Sequence, residues 1–146
     1  MKKLQTIVMA ADHGGFELKE ALKEYLIAAG HPLEDLGATD NNPSDHPIFA
    51  KRVVQRVLKG GCIGILICGS SQGITIAANR FKGIRAISAF DENFAQLGRE
   101  HHDANILCLA GRFLPLGDAK KIVNRFLKTE FLGGHYKARI KMFDED

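Results

Sequence analysis

The sequence predicts an α/β fold, a doubly wound parallel sheet of five strands with helices on both faces. Three observations predict it. Short apolar runs alternate with amphipathic stretches along the whole chain, the pattern of right-handed βαβ crossovers. The strand-like runs are continuously apolar rather than alternating, as strands buried on both faces must be. Finally, 146 residues with 45% hydrophobic and 25% charged side chains suit one globular domain over 1–146, large enough to bury a core.

The first strand is Thr6-Ile7-Val8-Met9-Ala10-Ala11. After Asp12-His13-Gly14-Gly15 the apolar period lengthens, and Leu18, Leu22, Tyr25, Leu26 and Ala29 fall on one stripe of a helix that Gly30 ends. A short strand over Leu33 to Leu36 precedes a polar loop from Gly37 to Ser44. Asp45 is placed to cap the next helix, with Pro47 in its first turn and Phe49, Val53, Val54, Val57 and Leu58 on its buried face. A third strand, Ile63 to Ile67, stops at Cys68-Gly69-Ser70-Ser71-Gln72-Gly73, and an apolar helix follows from Ile74 to Asn79. Next come a strand over Ile84 to Ser88, a helix from about Asp91 to Glu100 and a strand over Asn105 to Leu109. The last long helix runs from Leu116 to Lys128 with Ala119, Ile122, Val123, Phe126 and Leu127 inward. After Gly133-Gly134 a short basic tail is expected to project from the body.

Twenty Lys and Arg stand against 17 Asp and Glu, a net charge of +3, and the basic residues are scattered apart from modest clusters at 120–128 and 137–141. That balance suits a small anionic ligand and argues against nucleic acid, which calls for a strongly basic face. No apolar run approaches the ~20 residues of a membrane span, and the N-terminus leads into a strand rather than a signal peptide, so a cytoplasmic chain without membrane contact is expected. Cys62, Cys68 and Cys108 are odd in number and lack C-x-x-C spacing, so neither a disulfide framework nor a zinc site is encoded.

Open α/β sheets bind ligands at the carboxyl ends of their strands. Asp12 and His13 follow the first strand, Asp45 and His46 the second, Cys68 to Gly73 the third and Arg112 the fifth. The glycines of Cys68-Gly-Ser-Ser-Gln-Gly-Ile-Thr75 allow successive N–H groups to converge on an anion, and a thiol there is favoured as thiolate. The turn lacks the P-loop lysine and the G-x-G-x-x-G of a dinucleotide site. His101 and His102 end a helix, and an imidazole there is expected to project toward the sheet's carboxyl edge. Each residue also has a plain reading: Cys68 as a small buried residue, the histidines as surface, Asp12 as a turn residue, and Arg112 and Arg139 as solvated charges.

Together these segments resemble the B-type ribose-5-phosphate isomerase family, which includes the subunits of a galactose-6-phosphate isomerase. The likeness covers nearly the whole chain. It rests on Ala11-Asp-His-Gly-Gly15, Gly64-Ile-Leu-Ile-Cys68-Gly-Ser70 with Gly73-Ile-Thr-Ile-Ala-Ala-Asn79, Gly83-Ile-Arg-Ala86, His101-His-Asp-Ala-Asn105, Ala110-Gly-Arg112 and the Gly133-Gly134 tail with Arg139. It implies a Rossmann-like fold, no metal or organic cofactor, and a homodimer with shared active sites, or a tetramer of such dimers, in which tail 133–146 reaches the partner subunit. It implies an aldose–ketose isomerase of ribose 5-phosphate and ribulose 5-phosphate. Cys68 would be the base and His101, aided by Asp12, would open the ring. The Ser70 hydroxyl and the N–H groups of the turn, among them Gly69, Ser71 and Gly73, would hold the enediolate. His13, Arg112 and the tail's Arg139 would hold phosphate, and Asn79 and His102 count with the substrate-binding residues. Three departures stand out: His46 where the family usually has Tyr, Ser70-Ser71-Gln72 where smaller residues are usual, and His135 where a first tail Arg is common. His46 and Gln72 motivate an alternative, an isomerase of a six-carbon sugar 6-phosphate, and the weakened tail motivates a non-catalytic phosphosugar-binding regulatory homologue.

Overall fold

The structure is a computed structural model, and it describes residues 4–145. Five parallel strands lie in the order β2-β1-β3-β5-β4. They are β1 (Thr6–Ala11), β2 (Leu33–Asp35), β3 (Cys62–Cys68), β4 (Ala86–Ser88) and β5 (Ile106–Ala110). The helices are α1 (Phe16–Ala28), α2 (His46–Leu58), α3 (Gln72–Ala78), α4 (Glu92–His102), α5 (Leu116–Lys128) and α6 (Tyr136–Met142). Strand order reverses between β1 and β3, the place where a doubly wound sheet opens a crevice at its carboxyl edge.

Alternate residues of the central strands feed two cores. Ile7, Met9, Ile65, Ile67, Leu107 and Leu109 face α1, α4 and α5, where Leu22, Leu26, Ala95, Ile122 and Phe126 close the layer. Val8, Ala10, Leu66, Cys68, Ile106 and Cys108 face α2 and α3, against Phe49, Val53, Val54 and Ile74. Both strand faces are dry, which explains the unbroken apolar runs.

Several boundaries differ from the sequence reading. Asp45 sits at the N-cap of α2 in extended backbone, but its carboxylate caps nothing; Asp91 does cap, accepting the Phe94 N–H at 3.0 Å. Leu58, the last residue of α2, is half exposed rather than on its buried face, and β4 is shortened to its three residues paired with β5. The tail does not simply project. Gly133 and Gly134, with φ of 70° and 61°, turn the chain back, and α6 packs against α4. Among the described residues, no helix is long and apolar enough to cross a membrane.

Candidate active site

Glycines bring three strand ends together. A Cβ on Gly14 would lie 2.8 Å from the Gly69 nitrogen, one on Gly15 would lie within contact of the Ile67 carbonyl, and one on Gly111 would lie 2.6 Å from the Gly14 carbonyl oxygen. Backbone therefore packs on backbone where β1, β3 and β5 end. The Gly111 N–H donates to the Cys68 carbonyl at 2.8 Å and the Arg112 N–H to the Gly69 carbonyl at 3.1 Å, which locks the arginine loop onto the cysteine loop.

The result is a cleft of about 700 Å³ walled by Asp12, His13, His46, Cys68, Gly69, Ser70, Gly73 and Arg112. These eight are sequence candidates, brought together from four strand ends. Cys68 is 5% exposed, at the floor, and the first turn of α3 leaves its N–H groups without intrahelical partners beside it. Ser71 reaches the left-handed region, φ 71°, which reorients the backbone between Ser70 and Gln72. Asp12 is buried, lines the cleft, and its Oδ1 accepts the Gly14 N–H at 2.9 Å, which leaves Oδ2 outside that turn bond.

His13 is held from an unexpected quarter. Its backbone N–H donates to Ser44 Oγ at 3.1 Å, and the Ser44 N–H donates to His13 Nδ1 at 3.1 Å. An Nδ1 that accepts puts the ring proton on Nε2, so the ring offers a donor, as an anion requires. His13 and Arg112 also wall an adjoining recess with Glu17 and Asn41. The loop that delivers Ser44 is anchored by Asp35, whose carboxylate takes Lys19 Nζ at 2.7 Å, Lys23 Nζ at 2.8 Å and the Gly37 N–H at 2.9 Å. Burial would raise the Asp35 carboxyl, but these hydrogen bonds outweigh it and hold it below the usual range. Beside Cys68 in the same core, burial pushes the Cys108 thiol up to about 12, so it stays neutral.

Other candidates lie elsewhere. The Ser71 hydroxyl is buried against Ser88 Oγ at 2.7 Å, so only its backbone can serve the cleft. Both amide groups of Asn79 are taken by the Ala86 N–H and carbonyl, each at 2.8 Å; it clips α3 to β4 and does not face Cys68. His102 walls a separate recess with Arg85 and Phe143.

His101 corrects the sequence reading most. A crossover helix runs back to the amino edge of a parallel sheet, and α4 ends just before β5 begins. Ile106 pairs with Gly64 while Ala110 pairs with Cys68, so at ~3.3 Å per residue the two edges are about 13 Å apart. His101 therefore projects at the edge opposite Cys68. There it stacks on Tyr136, with ring centroids 4.5 Å apart and planes 13° from parallel. His135 packs on the same ring at 4.1 Å, and the Arg139 guanidinium carbon stands 5.9 Å from it. One chain thus carries two separate sets: a thiol, a nest, His13 and Arg112 at one edge; two histidines and an arginine at the other.

Sequence reasoning did not single out Ser44, Tyr136, Ile76 or Phe113 as site residues. Ile76 and Phe113 wall the cleft while 65% and 69% exposed, and an apolar residue one turn past an anion-binding loop is the signal that could have found Ile76. Among the described residues no three His, Cys, Asp or Glu side chains cluster as a metal site would require.

Comparison with known proteins covers nearly the whole chain. The ribose/galactose isomerase family matches residues 7–143. A probable ribose-5-phosphate isomerase B of Mycoplasma pneumoniae is 39% identical over 142 residues, covering 96% of this chain and 93% of the relative. The solved structure of a ribose 5-phosphate isomerase from Thermotoga maritima superposes with a TM-score of 0.96 at 44% identity, covering 97% of this chain and 99% of that one. The structure of ribose-5-phosphate isomerase B from Mycoplasma genitalium with bound ribulose-5-phosphate matches with a TM-score of 0.90 at 37% identity, over 97% of both chains. With the thiol, the glycine-packed strand ends and the arginine loop all on one crevice, and the match running from the first strand to the tail helix, this chain belongs to the ribose/galactose isomerase family.

Proposed function

We propose that the protein interconverts ribose 5-phosphate and ribulose 5-phosphate, as a homodimer in the cytoplasm with each site built from both chains. The relatives' names and the ligand-bound structure support the substrate, and the residues of the cleft support the chemistry. The observation that carries the shared site is the separation of Cys68 from His101 within one chain. A second copy supplies what each edge lacks. Phe90, just before α4, and Phe94 and Leu97 on it form an exposed apolar stripe that leads to His101, and Ile76 and Phe113 are exposed at the mouth of the cleft. Docking stripe to mouth buries both and carries His101, His135 and Arg139 toward the partner's Cys68.

In that site His13 and Arg112 hold the phosphate from one chain and Arg139 from the other, the guanidiniums by paired N–H groups. His101 and Asp12 open the sugar ring. The Cys68 thiolate takes the proton from carbon 2, and the N–H groups of the 69–73 turn with the Ser70 hydroxyl hold the enediolate oxygen. Cys68 returns the proton to carbon 1 while a hydroxyl proton passes from O2 to O1, so carbon 2 is oxidised as carbon 1 is reduced. One donor to such an oxygen contributes ~10²- to 10³-fold.

Ketose formation from ribose 5-phosphate, measured beside six-carbon 6-phosphates, tests the substrate, with the pentose expected to be preferred. Cys68→Ala should abolish exchange of the carbon 2 proton with deuterium oxide while sugar-phosphate binding persists. Exchange within tenfold of wild type would exclude Cys68 as the base, since a general base contributes ~10²- to 10⁴-fold.

A further inference from the structure

We infer that Tyr136 is a positioning residue for ring opening: its phenol ring holds the His101 imidazole and ties it to Arg139, so that both enter the partner's cleft as one unit. The inference rests on the shared-site reading above.

The backbone beneath His101 is clamped. Asp103 ends α4 in the left-handed region, φ 47°, and the carbonyls around it are gathered by two guanidiniums. Arg85 Nε donates to the His102 carbonyl at 2.9 Å and the Asp103 carbonyl at 3.0 Å, and Arg99 Nη1 donates to the Ala104 carbonyl at 2.7 Å. The Asp103 carboxylate is itself gripped by Arg99 at 2.8 Å. Asn105 pins the neighbouring turn, accepting the Arg85 N–H at 2.8 Å and donating to the Gly83 carbonyl at 2.9 Å. This explains why Gly83 to Ala86 and His101 to Asn105 matter although neither segment lines the Cys68 cleft: they form the mount for His101.

The mount fixes the Cα of His101 but not its ring. Among the described residues no hydrogen bond takes up either ring nitrogen; the His102 ring stands edge-on at 6.1 Å, and the close, near-parallel contact on the imidazole face is the Tyr136 ring. Tyr136 is fixed in turn. The tail is tied where the Leu132 N–H meets the Glu100 carbonyl at 3.1 Å and again where Asp144 accepts the Gly83 N–H at 2.8 Å. Between these ties the two left-handed glycines start α6 against α4, and Arg139 lies nearly one turn beyond Tyr136. Stacking contacts only the face of the imidazole and leaves both nitrogens at its edge free for proton transfer. Ring opening needs that edge: the O1 hydroxyl proton leaves, the bond from carbon 1 to the ring oxygen breaks, and the ring oxygen gains a proton as the aldehyde forms. An imidazole accepts the first proton and donates the second only if its edge is held against the acetal.

The test exploits the fact that ribulose 5-phosphate cannot form a five-membered ring. Tyr136→Ala should lower kcat for ribose 5-phosphate about 2- to 10-fold, the kinetic equivalent of one aromatic pair. Exchange of the carbon 1 proton of ribulose 5-phosphate with solvent should stay near the wild-type rate at saturating sugar. Tyr136→Phe should match wild type in both. Equal losses in the two assays, no loss for Tyr136→Ala, or failure of Phe to rescue would overturn the role. The His101 imidazole proton resonances give a readout independent of activity: they should move in Tyr136→Ala and stay in place in Tyr136→Phe. A wild-type enzyme inactive on both sugars would overturn the isomerase reading and this role with it; a normally active Tyr136→Ala would overturn the role alone.

Discussion

Replacing Gly73 by Ala adds one methyl group at the first turn of α3, and the structure says what it meets. The new Cβ would stand 2.7 Å from His46 Nε2 and 2.9 Å from its Cε1. Comfortable carbon contacts begin at ~3.5 Å, so the imidazole must retreat by about 1 Å. It is the end of a side chain and can do so. An off-rotamer ring costs ~0.5–1.5 kcal/mol, while Gly to Ala inside a helix gains ~0.8–1.0 kcal/mol, so the two nearly cancel. Tm should stay within about 4 °C of wild type. Activity should not be spared, because His46 walls the cleft and a displacement of ~1 Å in a reacting site costs up to ~10²-fold. The assay is ketose formation from ribose 5-phosphate for Gly73→Ala, His46→Ala and the double variant, with thermal melts of each. If ring displacement is the cause, the double variant recovers to the level of His46→Ala alone. Wild-type activity in Gly73→Ala, or losses that simply add in the double variant, would refute the reasoning.

Two further changes probe what supports the cleft. Asp35→Asn leaves the fully buried Lys19 ammonium without its principal counter-charge and should cost about 3 kcal/mol in urea unfolding at neutral pH. Because the folded-state Asp35 pKa is depressed, its contribution is present above the unfolded carboxyl value near ~4 and fades as pH falls through the lower folded value, so wild type and variant should converge in stability at acid pH. Ser44→Ala removes the acceptor of the His13 N–H but keeps the N–H that meets Nδ1; KM for the sugar phosphate should rise about 2- to 10-fold with little change in kcat, measured by initial rates.

Much of the architecture was legible because it is periodic. The stripe Ala119, Ile122, Val123, Phe126 places α5 with its observed limits, and the unbroken apolar runs mark β1, β3 and β5 as central. Strand-end logic was enough to gather Asp12, His13, His46, Cys68 and Arg112 into one crevice. What escaped depends on contacts distant in sequence. A seven-residue helix such as α6 has too few turns to stand alone, and only packing on α4 forms it. The fate of Asn79, spent on Ala86, and the Ser44 clasp on His13 follow from tertiary approach and leave no mark on local pattern. His101 is different, for its edge was deducible: every crossover helix between parallel strands returns to the amino edge, so a residue ending α4 could not face the carboxyl end of its own sheet.

That placement makes the shared site testable by mixing two inactive proteins. Cys68→Ala loses the base and His101→Asn loses the ring-opening group, and each alone should be nearly inactive on ribose 5-phosphate. After subunit exchange at equal concentrations, about half the dimers are hybrids in which one site carries both defects and the other neither, so about a quarter of wild-type activity should return. No recovery, with hybrid dimers demonstrated by mass, would contradict the account and put Cys68 and His101 to work within a single chain.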